Sequence, residues 1–216
     1  MQVWQLMKLK KRWVVDMKYP DFFDDVESIN LFDPLSAVLG SFEGGKIEFN
    51  YVDVVKSAGH SCPTVAGAYL MTLTALKALY PDTLPVRGEI KVEFCEDESE
   101  GVAGVIANVI ANITGATEKS GFKGLNGNFV RHSLMSFNSS ISSSAKFTRV
   151  DSGKIVEVIY NHQVVPANPK MQPLMGKVMQ QLASVEEKKE FGKLWQERVK
   201  SILIDYKDDE NLIKVI

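Results

Sequence analysis

The stretch KSAGHSCPTVAGAYLM, residues Lys56 to Met71, decides how the rest of the chain is read. Its second half is a helix start. Pro63 suits the first helical position, where its missing N–H has no intrahelical partner to lose. Val65, Tyr69, Leu73 and Leu76 then recur at spacings of three and four, which predicts a helix over Pro63 to Tyr80. Ala66, Gly67 and Ala68 are small enough to let another backbone or ring approach closely. Its first half places an imidazole and a thiol, His60 and Cys62, at the mouth of that helix, in a chain with only three histidines and two cysteines.

Working outward, GEIKVEFC alternates as a strand, with Ile90, Val92 and Phe94 on one face and Lys91, Glu93 and Cys95 on the other. EDESEG is an acidic connection. Val102, Val105, Ile106, Val109, Ile110 and Ile113 form the stripe of a second helix, with Asn108 and Asn112 off it. The segment TGATEKSGFKGLNGN is glycine-rich and must be a loop. FVRHSLMSF, AKFTRV and KIVEVIYN read as three strands, with SSISSS as a hairpin loop and DSG as a turn. Two helices, Gln172 to Val185 and Glu186 to Ile204, precede a charged tail. Upstream, residues 19–40 read as short helical turns, with Asp33 capping the turn that begins at Pro34, and a strand carries Ile47 and Phe49.

Too few strands alternate with helices for a doubly wound sheet. The order predicts an α+β fold: a mixed, largely antiparallel sheet packed by helices on one side, with extra C-terminal helices. Residues 1–20 are read as an N-terminal extension, 21–165 as the α+β core, and 166–216 as a helical segment of the same domain. Within the extension, residues 1–16 are either an amphipathic helix or residues ahead of a start at Met17.

Composition narrows the function. Of 216 residues 45% are hydrophobic, enough for a core without disulfides, and the net charge of −2 gives no general reason to bind nucleic acid. No apolar run is long enough to cross a membrane. Two cysteines are too few for a disulfide framework, which predicts a cytoplasmic protein with reduced thiols.

The chemistry concentrates at His60-Ser61-Cys62-Pro63. A helix N-terminus carries unpaired N–H groups and partial positive charge, which favours a thiolate. A thiolate beside an imidazole suits zinc or another divalent transition metal, or attack on an electrophile; either role needs a third group. Cys95, at a strand end, is the first candidate, and His60, Cys62 and Cys95 would leave an open fourth position in a tetrahedral site. His132, His162, Asp97 and Glu98 are further candidates. An ordinary core thiol at Cys95 and ordinary strand or surface histidines at 132 and 162 are the plain alternatives. The glycine loop lacks the G-x-x-x-x-G-K-[ST] pattern and follows a helix, so it is read as the wall of a pocket, where Lys119, Lys123 and Arg131 allow an anionic ligand.

AGHSCPTVAGAYLM resembles the GH-x-CPG signature of the FmdE-like family, which takes its name from formylmethanofuran dehydrogenase, and ANVIANITGAT followed by GFKGLNGN resembles that family's helix, corner and glycine loop. The resemblance covers roughly Tyr51 to Asn138. It implies an α+β core, a homodimer and a metal site, typically zinc, on which His60 and Cys62 are ligands. Thr64 replaces the usual glycine after Cys-Pro. Val105 and Ala116 stand where the family has cysteines, and Asn108 where it has an aspartate.

Three readings follow. The first is a zinc-binding protein with an open-site centre next to a small-molecule pocket. The second is a metal-free binding or assembly module derived from part of an enzyme complex. The third makes Cys62 a covalent nucleophile.

Overall fold

The computed structural model describes residues 16–216; the reading of the first sixteen residues falls, except for Asp16, outside them. The described residues form seven strands and six α-helices, in the chain order β1 (Ile29–Phe32), α1 (Pro34–Leu39), β2 (Lys46–Phe49), α2 (Tyr51–Ala58), α3 (Pro63–Leu79), β3 (Ile90–Glu93), α4 (Ala103–Thr114), β4 (Met135–Ser136), β5 (Ala145–Arg149), β6 (Ile155–Tyr160), α5 (Met171–Met179), α6 (Val185–Lys200) and β7 (Ile213–Val215). The main sheet runs β4-β3-β5-β6-β7, parallel only between β3 and β4; β1 and β2 form a separate antiparallel pair. The fold is α+β with a mixed, mostly antiparallel sheet. Buried and more exposed residues alternate along β3, β5 and β6, as in a sheet with one face against a core.

Helix α3 is the centre. The expected stripe is only part of it: Val65 through Leu73, then Ala75, Leu76 and Leu79, are buried on every side. A helix apolar all round is one covered all round; here β6 and β7 lie along it, and α2 and α4 pack against it. The buried Thr72 hydroxyl is satisfied within the helix by the Ala68 carbonyl at 2.7 Å. Gly67 decides one of these contacts. A Cβ there would fall 2.1 Å from the Tyr160 ring, so only glycine lets that ring lie on the helix.

Several readings need correction. FVRHSLMSF pairs as a strand only at Met135–Ser136. Its earlier backbone groups bond to the glycine loop instead: Arg131 N–H to the Phe122 carbonyl, Ser133 N–H to that of Glu118, and the Arg131 carbonyl to Thr117 N–H. Phe129 and Ser133 also take positive φ, which breaks an extended run. SSISSS is not a hairpin loop, because β4 and β5 flank β3 on opposite sides and their connection must cross its end. There the N–H groups of Asn138 and Ser139 bond to the Glu96 and Phe94 carbonyls.

Residues 29–32 form a strand rather than a helical turn, paired from Ile29 to Phe49 along β2. The last residues are more than a charged tail: Leu212 and Ile213 are buried, and β7 pairs with β6. The first C-terminal helix stops at Met179, because Ser184 caps the next one in a reciprocal box with Glu187. By contrast, Asp33 does cap α1, accepting the Ser36 N–H at 3.1 Å.

Candidate functional site

The corner between α2 and α3 is built by its own sequence. Gly59 ends α2 in the left-handed region at φ 75°, turning the chain so that His60 and Ser61 bridge to Cys62. Cys62 is the N-cap of α3, its Sγ accepting the Val65 N–H at 3.4 Å, with Pro63 at the first position. The thiol therefore sits at the positive end of a seventeen-residue helix.

Distant elements pin this corner. The Ser61 carbonyl accepts from Trp195 Nε1 at 3.0 Å and from Gln196 Nε2 at 3.2 Å, both on α6. The Ser61 and Tyr51 hydroxyls are 3.0 Å apart. Tyr160, at the end of β6, donates its hydroxyl to the Pro63 carbonyl at 2.8 Å. Burial pushes the phenols of Tyr51 and Tyr160 well above the usual range, so both stay protonated at neutral pH and neither serves as a base.

His60 is exposed, and its Nδ1 lies 3.0 Å from the Ala58 carbonyl. A carbonyl oxygen only accepts, so Nδ1 carries the proton and the Nε2 lone pair is left open. Imidazoles that bind metals are held in this way.

His60, Cys62 and Cys95 line one cavity of about 600 Å³, together with His162 and Glu96. Its walls come from the start of α3, the end of β3, the start of α4, the end of β6 and α6. Cys62 is half-buried and Cys95 exposed, and both are free thiols. Among the described residues, no group of three or more His, Cys, Asp or Glu side chains gathers closely enough to hold an ion. The donor chemistry suits a soft divalent ion; the pair His60 and Cys62 is a start, with Cys95 on another wall.

The remaining candidates divide. His162 lines the cavity, and its carbonyl is held by Arg198 at 3.1 Å. His132 lies elsewhere, with Nδ1 3.0 Å from the Ser133 hydroxyl. Asp97 is used in its own loop: hydrogen bonds from Ser99, then Asn138, pull its carboxyl down to about 2. Sequence reading missed Glu96, Tyr160, Trp195 and Arg198. Only Trp195 carried a signal, as one of three tryptophans, set in an otherwise strongly charged helix.

A family model described as FmdE, molybdenum formylmethanofuran dehydrogenase operon, matches residues 58–212. The chain belongs to the FmdE family. The match opens two residues before His60 and takes in every element that walls the cavity. No curated protein matches the chain. The two positions where the sequence resemblance implies cysteines differ physically: Val105 is exposed on α4, whereas Ala116 is fully buried.

Proposed function

We propose that this FmdE-family chain is a metal-binding protein, zinc being the best fit, with His60, Cys62 and Cys95 as ligands and an open position toward the adjacent cavity. The observation that carries this reading is the His60–Cys62 corner itself. A tautomer-locked imidazole and a helix-capping thiol, the two chemistries a zinc site needs most, line one cavity with the second cysteine. Zinc held by three protein donors supplies a Lewis acid that polarises a carbonyl or activates a water.

The chain's own groups shape what a small molecule would meet there. Tyr160 and Trp195 spend their polar hydrogens on the corner's carbonyls and offer ring surface to the cavity. Arg198 brings a cation, held in place by the Val165 carbonyl at 2.9 Å and that of His162. The ligand class that follows is a small, partly apolar molecule with a polar end. A homodimer and a cytoplasmic location belong to the same reading.

Cobalt substitution tests the ligands. Wild-type protein loaded with Co(II) should show a thiolate-to-cobalt charge-transfer band, weakened in Cys95→Ser and abolished in Cys62→Ser. No such band in the wild type would end the assignment. The metal-free module is kept as a second reading on one observation: the described residues assemble no three-donor group. That reading predicts that a chelator leaves the melting temperature of freshly purified protein unchanged.

A further inference from the structure

A second cavity, of about 630 Å³, lies on the other side of His60. It is bounded by α2, the later turns of α4 and the glycine loop, and its charged lining is Arg87 and Arg131. Both guanidinium groups pair with one carboxylate: Asp33 receives Arg131 Nη2 at 2.7 Å and Arg87 Nη1 at 3.0 Å. Two cations thus share one anion. Glu89 is near enough to support the charge on Arg131 but forms no ion pair with it.

The two arginines are not alike. Arg87 uses all three nitrogens, donating Nε to the Ile113 carbonyl and Nη2 to that of Asn112. In doing so it occupies carbonyls at the end of α4 that would repel an anion. Arg131 is 5% exposed, yet its Nε and Nη1 have no acceptor among the described residues. Its guanidinium fits because Gly88 and Gly115 are glycines; a Cβ would fall 2.1 Å and 2.8 Å from Nη1. A buried, charged donor without an acceptor is costly, and a bound anion is one way such a cost is met.

We propose that this second cavity binds the oxyanion group, carboxylate or phosphate, of a small molecule, with Arg131 as its anchoring cation and the amides of Asn108 and Asn112 as the polar wall. Two arginines against Asp33 supply the excess positive charge, and Gly115, Thr117, Gly121 and Phe122 of the glycine loop line the same cavity. The site does not depend on metal at the corner, although His60 borders both cavities.

Calorimetric titration with inorganic phosphate and, separately, with succinate tests this, each against sodium chloride at matched ionic strength. At least one should bind saturably, and which one does identifies the group. Arg131→Lys should weaken that binding at least tenfold, and the double variant Asn108→Ala/Asn112→Ala, changed only at the cavity wall, severalfold. Cys62→Ser should bind as the wild type does, which separates this result from the fate of the metal reading. No saturable binding by either anion overturns the proposal. So does wild-type affinity in Arg131→Lys or, should that variant not fold, in the double variant.

Discussion

The two cavities that meet at His60 are built in opposite ways. The ligand-bearing corner of the first is organised by neighbours in sequence: Gly59, His60, Ser61, Cys62 and Pro63 make a turn, a cap and a helix start within five residues. The second is organised by Asp33, Arg87 and Arg131, which lie far apart in the chain and meet only when it folds. Local chemistry specifies the first, and long-range charge pairing the second. The consequence is energetic: damage to the first should cost ligands and little stability, whereas damage to the second should cost the fold.

Asp33→Ala gives the largest expected effect. It strips the carboxylate that both guanidinium groups share, leaving Arg131 buried without its counter-charge, and removes the α1 cap. Breaking a buried pair in this way costs about 3–5 kcal/mol. Chemical denaturation should show that loss, with the far smaller effect of Cys62→Ser as its contrast. Serine also caps helices, so Cys62→Ser should fold in the metal-free state within about 1 kcal/mol of the wild type. Equal losses in the two variants would erase the distinction between the cavities.

Gly67→Ala comes next. Its Cβ would overlap the Tyr160 ring, and overpacking of this kind costs about 1–3 kcal/mol. The ring must move, carrying its hydroxyl off the Pro63 carbonyl, so the thermal midpoint and the first cavity should suffer together. An unchanged midpoint would show that Tyr160 is not the clamp described.

The smallest effect is on pH dependence. Burial pushes the Asp33 carboxyl up, but the Ser36 N–H, Arg131 and Arg87 outweigh it and hold the pKa below the usual carboxylate value. A lowered folded pKa means that stability from this group is complete above the unfolded value, about 3.9, and is lost as pH falls through the folded one. Asp33→Asn should therefore flatten the acid limb of the stability curve below about pH 4. An acid limb as steep as the wild type's would place the titrating group elsewhere.

The same contrast governs what could be read in advance. The α3 helix, its proline start, the Asp33 cap and the His60–Cys62 corner were legible because each is set by residues within one or two turns. The partners of the corner were not: Tyr160, Trp195 and Gln196 arrive from more than ninety positions away. Strand β1 was invisible because four residues become a strand only when β2 pairs with them. FVRHSLMSF misled because its aromatic and aliphatic residues suit a strand, yet the glycine loop takes up its backbone groups first. Arg131 was noticed as a charge; its burial, its slot between Gly88 and Gly115 and its pairing with Asp33 all depend on tertiary structure.

The central claim is that His60 and Cys62 hold a divalent ion. Elemental analysis of protein purified without chelator measures it most directly, comparing wild type with Cys62→Ser at matched folding by circular dichroism. The account predicts close to one zinc per chain in the wild type and almost none in the variant. A metal-free wild type, or a Cys62→Ser protein carrying as much zinc as its parent, would contradict it.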